Sequence, residues 1–142
     1  MPDDTLDPAR MAATHAAAFT QARPWSTAEF SELLESPFCF TCGDDRAFAL
    51  VRVIADEAEL LTIATHPDAQ RRGLARACMQ HWMTRAATQG AARAFLEVAA
   101  DNTPAIALYR ACGFAPCGQR RGYYARPGRP AVDAIVMARD LP

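Results

Sequence analysis

A chain of 142 residues, 51% hydrophobic and 22% charged, suits one domain over residues 1–142 with a substantial buried core, and no apolar run approaches membrane-spanning length. Its net charge of −1 and acidic first half argue against a nucleic-acid-binding module, whose electrostatic footprint is basic. Five cysteines is an odd count and the acidic opening Met1-Pro2-Asp3-Asp4 has the wrong sign for a secretory signal, so a reduced, cytoplasmic setting is expected.

The charge is unevenly spread. Residues 1–60 hold eleven acids and four arginines, and residues 61–142 hold eleven arginines and five acids. The two halves are either ordinary solvated faces or complements to an anionic ligand on the second half and a cationic one on the first.

In chain order, the alanine-rich residues 9–22 predict a helix capped near Asp7-Pro8. Pro24-Trp25-Ser26-Thr27 interrupts it. Ser26 or Thr27 can cap a second helix, with Glu29 in its first turn and Phe30, Leu33 and Leu34 on one face, ending at Pro37. Phe38–Cys42 and Phe48–Ala55, either side of Gly43-Asp44-Asp45, read as a β-hairpin. Asp56-Glu57 then turns the chain into a third antiparallel strand containing Leu60, Leu61, Ile63 and Ala64, stopped by His66-Pro67-Asp68. From Gly73 to Gln89, Ala75, Cys78, Met79, Trp82 and Ala86 recur at helical spacing. Arg93–Ala99 reads as a buried strand reached by a helical crossover, hence parallel to the third. Asp101-Asn102-Thr103-Pro104 starts another helix, carrying Ile106, Leu108, Tyr109 and Cys112 and closed by Gly113. Phe114–Tyr124 and Val132–Arg139 form a last pair of strands around Pro127–Pro130. The order is ααβββαβαββ: an α/β (α+β) sandwich on a mixed, mostly antiparallel sheet.

Gln70-Arg71-Arg72-Gly73-Leu74-Ala75 stands where the central strand's exit loop becomes a helix. A helix start presents unpartnered N–H groups and partial positive charge to an anion. Gly73 permits close backbone approach, and the arginines add charge-assisted contacts. An ordinary solvated helix start has the same composition.

Cys39-x-x-Cys42 suggests half a metal site, but residues three apart on a strand point to opposite faces. Cys112 and Cys117 are not at metal spacing, so core cysteines are the better reading and no metal is expected. His66 reads as a strand cap, and His15 and His81 lie on helices without nameable partners. From position alone, Glu97 is a strand-end carboxylate paired with an arginine such as Arg93, and Tyr109 a core aromatic.

The element order and the Gln70–Ala75 loop together resemble the GNAT superfamily of acetyl-CoA-dependent N-acetyltransferases. Its pyrophosphate motif, Q/R-x-x-G-x-G/A, is matched with alanine last. Within it the chain is similar to the bacterial branch that acetylates the N-terminal alanine of a ribosomal protein. Matching segments are Pro24-Trp25-Ser26, Leu61-Thr62-Ile63-Ala64 with Pro67-Asp68, Leu96-Glu97-Val98, Asn102 with Ala105–Tyr109, Gly113-Phe114, Arg120–Tyr124 and Asp133–Met137. Two positions depart: Ala75 replaces the commoner glycine, and Thr62 stands for a different polar residue.

The resemblance implies acetyl-CoA as cosubstrate. Ile63, Ala64 and Thr65 would line the pantetheine arm through backbone groups. Arg71, Arg72, Gly73, Leu74, Ala75 and Arg76 would cradle the pyrophosphate, and Asn102 would contact the cofactor. Glu97 would be general base and Tyr109 general acid, since the amine must lose a proton and the thiolate gains from one. Trp25, Tyr123 and Tyr124 would meet the acceptor, a protein N-terminus. The expected enzyme is a monomer without nucleic-acid or membrane partners. The alternatives are a GNAT acting on a polyamine, amino acid or drug, and a cofactor-binding module without turnover.

Overall fold

The computed structural model of the chain describes residues 6–19 and 24–142. The elements follow the expected order: α1 (Pro8–Ala18), α2 (Thr27–Glu35), β1 (Cys39–Gly43), β2 (Ala47–Ile54), β3 (Glu57–Thr65), α3 (Leu74–Thr88), β4 (Arg93–Ala99), α4 (Thr103–Ala111), β5 (Ala115–Arg126) and β6 (Arg129–Asp140). A 3-10 turn, Pro67–Ala69, is added between β3 and α3. Among the described residues, no helix is long and apolar enough to cross a membrane.

The first helix starts as its sequence dictates, with the Asp7 carboxylate accepting from the Arg10 N–H at 2.8 Å. It stops at Ala18, shorter than the 9–22 expectation, because Phe19 is already extended. Residues 20–22 of that expected helix, like the acidic opening Met1–Asp4, lie outside the described residues. Helix α2 opens with a reciprocal capping box between Ser26 and Glu29, which satisfies two otherwise orphaned backbone donors.

The six strands form one sheet in the order β1-β2-β3-β4-β6-β5. Neighbours are antiparallel except β3 and β4, whose connection runs through α3 and so can join parallel strands. The final hairpin turns more tightly than expected. Arg126 pairs with Arg129, leaving Pro127 and a left-handed Gly128 (φ 69°) at the bend, the residues a type II turn takes.

Helices cover both faces of the sheet. On one, Ala49, Val51, Leu96, Val98 and Met137 pack with Met79 and Trp82 of α3 and Tyr109 of α4. On the other, Phe48, Leu50 and Ala64 pack with Met11 of α1 and Phe30 of α2. Strand β2 supplies alternate residues to each and is therefore apolar almost throughout. Each fully buried large side chain contributes about 1.5–3 kcal/mol. Cys39 packs on the α1/α2 side and Cys42 on the α3/α4 side, so the pair cannot share a ligand. Cys78 and Cys112 are buried core residues, but Cys117 is exposed: an edge strand leaves its outward positions in water.

Two irregularities shape the centre. Leu50 pairs with Thr62 and Val51 with Leu60, so Leu61 is an extra residue in β3. This bulge re-aims the strand: Leu60 and Ile63 serve the α3/α4 side, and Leu61 and Ala64 the α1/α2 side. Strands β3 and β4 pair only from Glu57/Arg93 to Glu59/Phe95. Beyond that point they splay, and both faces of the sheet open on the gap.

Candidate active site

On the α3 side of the splay, an arginine-rich loop leads from β3 into α3. Strand β3 ends at Thr65, and the His66 ring nitrogen Nδ1 accepts from the Asp68 N–H at 3.1 Å, capping the 3-10 turn rather than the strand. Arg71 and Gly73 then both take left-handed backbone, φ 63° and 75°. For Arg71 this is uncommon and marks local strain; alternation into the left-handed region turns successive N–H groups toward one point, as in anion-binding nests. Gly73 leads into α3 and gives it no side-chain cap. No atom lies within 4 Å of where a Gly73 Cβ would stand, so the cradle is open. The exposed guanidinium groups of Arg71, Arg72 and Arg76 make no hydrogen bond or ion pair among the described residues. A left-handed turn, an uncapped helix start and exposed cations are features that bind anions in general.

Leu74 and Ala75 are half-buried at the root of this loop. Ile63 packs toward α3 and α4, while the Ala64 side chain packs under α1 and α2, leaving its backbone as the group available to a ligand. Thr65 is half-buried at the strand's end. The Asn102 side-chain oxygen accepts from the Ala105 N–H at 3.3 Å. It caps α4, and its amide nitrogen, with the oxygen's second lone pair, remains for another partner.

Glu97 and Tyr109 occupy opposite faces of β4. Ala94, Leu96 and Val98 point into the α3/α4 core, so strand alternation turns Glu97 to the other face. Tyr109 lies within the α3/α4 core, its ring edge-on to Phe114 at 6.4 Å. Burial holds its phenol protonated well above the usual value, and the nearby Tyr124 and Cys112 act in the same direction. Burial also raises the Tyr124 phenol, followed by the charge of Glu97.

The Glu97 carboxylate pairs with Arg120 at 2.8 Å, not with Arg93. Residues four apart on a strand are about 13 Å apart, too far for a contact. Arg120 is on β5, two strands from β4, about 10 Å, and two long side chains span that. The Arg120 guanidinium also stands 5.4 Å from the Tyr123 ring, and Tyr123 meets Tyr124 edge-on at 5.1 Å. Tyr123 is 53% exposed. Trp25 is half-buried, its ring 5.4 Å from both His15 and Phe30, so it forms a packed wall rather than a free platform.

His15 was invisible as a participant in the sequence. Its Nδ1 accepts from the Trp25 N–H at 3.1 Å and its Nε2 lies 3.2 Å from the Thr62 hydroxyl. Since a backbone N–H can only donate, Nε2 carries the proton of the neutral ring and donates to Thr62. One side chain thus ties α1, the Trp25 segment and the bulged strand together. Helical spacing carries no sign of contacts so distant in sequence.

Residues 9–114 match the acetyltransferase (GNAT) family. The chain is 42% identical over 132 residues to the [ribosomal protein bS18]-alanine N-acetyltransferase of Escherichia coli, covering 89% of this chain and 88% of that protein. It is 35% identical over 143 residues to the N-alpha-acetyltransferase RimI of Mycobacterium tuberculosis, covering 94% and 87%. The crystal structure of the Escherichia coli ribosomal-protein-S18-alanine N-acetyltransferase superposes with a TM-score of 0.85 and 35% identity over 94% of this chain and 87% of that one. The family match takes in the central strand, the left-handed arginine-glycine loop and both sides of the splay, and the chain belongs to the acetyltransferase (GNAT) family.

Proposed function

We propose that this chain transfers the acetyl group of acetyl-CoA to the α-amine of a protein N-terminus, the N-terminal alanine of a ribosomal protein foremost. One observation supports the reading: the Glu97 carboxylate lies on the face of β4 away from the α3/α4 core that holds the Tyr109 phenol, just past the point where β3 and β4 stop pairing. Two molecules arriving from opposite sides can meet there, and no covalent enzyme intermediate is needed. Similarity to the bS18-alanine N-acetyltransferase along most of both chains supports the choice of acceptor.

Acetyl-CoA supplies an activated thioester. Arg71, Arg72, Arg76 and the N–H groups from Arg71 to Ala75 hold its diphosphate; Ile63, Ala64, Thr65 and Asn102 orient the rest. An α-amine is protonated below about pH 8. Glu97 takes that proton, directly or through water, and Tyr109 supplies one to the departing thiolate. Trp25, Tyr123 and Tyr124 flank the acceptor. The enzyme works as a monomer of one domain in the cytoplasm, a setting that suits its five free thiols.

The test is thiol release from acetyl-CoA with a panel of short peptides differing in the first residue, beside polyamines and free amino acids. Transfer to alanine-first peptides is expected. Release only with small amines overturns the acceptor and keeps the Glu97–Tyr109 chemistry. Tight CoA binding without transfer to any amine overturns the enzyme.

A further inference from the structure

Strand β5 is exposed from Ala115 to Tyr123, yet near its end the Arg126 side chain is only 6% exposed. Its Nε and one terminal nitrogen both donate to the Asp101 carboxylate at 2.9 Å, the two-point geometry that gives arginine–carboxylate pairs their rigidity. The other terminal nitrogen donates to the Ala125 carbonyl at 3.0 Å. Arg129, across the hairpin bend, adds a third donor to Asp101 at 3.3 Å. Asp101 lies in the short link between β4, which carries Glu97, and α4, which carries Tyr109. One carboxylate therefore fastens the tip of the last hairpin to the junction between the proposed base and acid.

The hairpin between these points is built to deliver a side chain. From Arg120/Ala134 to Tyr124/Val132 the pairing skips three residues of β5 but only Asp133 of β6. Asp133 closes this bulge by accepting from the Gly122 N–H at 2.8 Å and from the Gln119 amide, and Gly122 adopts φ 60°. Tyr124 follows directly, 5.8 Å from the Arg126 guanidinium and 5.1 Å from Tyr123. Contacts thus run unbroken from Glu97 through Arg120, Tyr123, Tyr124 and Arg126 to Asp101.

We propose that the Asp101–Arg126 pair is a positioning latch for the acceptor: it holds Tyr124 against the Tyr123–Arg120–Glu97 cluster, and through it sets the binding of the acceptor amine but not of acetyl-CoA. Arg126 and Asp101 touch neither reactant and act through Tyr124. The latch rests on the reading of this site as an acetyltransferase with a separate acceptor side.

The experiment compares Arg126→Gln, Arg126→Lys and Asp101→Asn with the unaltered enzyme, using alanine-first peptide and acetyl-CoA and thermal midpoints as the check of folding. Expected is a rise of about tenfold in acceptor KM in each, with acetyl-CoA KM within about twofold. Lysine does not rescue, because an ammonium lacks the two-point fork. Arg126→Gln made in Tyr124→Leu costs nothing further, since one device is already broken. Hydrogen exchange over residues 118–126 quickens in Arg126→Gln while α4 is unchanged. Unchanged acceptor KM in a folded variant, both KM values rising together, or additive losses with Tyr124→Leu would each overturn the latch. Should the unaltered enzyme acetylate no peptide, the acceptor reading fails; the same variants are then read with the small amine that releases thiol, and by exchange alone if none does. Unchanged exchange would sink the latch in that case.

Discussion

The Nε of Arg120 lies 2.8 Å from Oε1 of Glu97, so the proposed base is already engaged by a cation from a strand it does not neighbour. An acceptor ammonium must compete with this guanidinium. Arg120 is 58% exposed, and pairs of that kind are worth at most about 1 kcal/mol. Arg120→Gln should therefore lower acceptor KM by no more than about fivefold and leave acetyl-CoA KM alone; a rise would assign Arg120 to holding the acceptor. Glu97→Gln should cut kcat by about 10²–10⁴-fold with acetyl-CoA affinity kept, and residual turnover should increase with pH as the amine loses its own proton near about pH 8. Unchanged turnover would remove Glu97 from the mechanism.

Gly73→Val tests the cradle. The position is left-handed (φ 75°) and open around the missing Cβ, so the substitution acts by forcing a β-branched residue into a conformation costing about 1–2 kcal/mol. It also occupies the space through which the loop meets an anion. Acetyl-CoA Kd, read by isothermal titration, should rise by at least about tenfold; retained affinity would move the diphosphate elsewhere.

Tyr109 keeps its phenol proton far into alkali, because burial raises the phenol's pKa well above the usual value. The pH–rate profile should show no loss from its ionisation up to about pH 10, where a solvent-exposed tyrosine titrates. Tyr109→Phe should lower kcat by about 10²-fold at all pH values while the thermal midpoint hardly moves. A pH-dependent ratio of the two enzymes below pH 10 would mean that the phenol ionises in the working range.

His15→Leu removes the partners of the Trp25 N–H and the Thr62 hydroxyl. Leaving buried polar groups unpaired costs about 1–3 kcal/mol each, so chemical denaturation should register a loss of about 2 kcal/mol or more. Adding Thr62→Val removes one orphaned hydroxyl, and the double variant should be more stable than His15→Leu alone. Additive losses would deny that the two side chains interact.

The reach of the sequence has a physical boundary. Amphipathic spacing along Cys78, Met79, Trp82 and Ala86, the Ser26–Glu29 cap and the hairpin punctuation were all legible, because each depends on residues within a few positions of one another, and the parallel crossover followed from a helix standing between two strands. The motif at Gln70–Ala75 was legible for the same reason, and with it the family and the chemistry to expect. Contacts between distant segments were not. That Glu97 meets Arg120 rather than Arg93, that β6 lies between β4 and β5, that His15 joins Trp25 to Thr62, and that Asp101 fastens the final hairpin were decided only when the sheet closed. Cross-strand register, the Leu61 bulge and burial set these partners, and none of them leaves a local periodicity to read. The local code determined which elements form and in what order; tertiary packing decided which distant side chains meet.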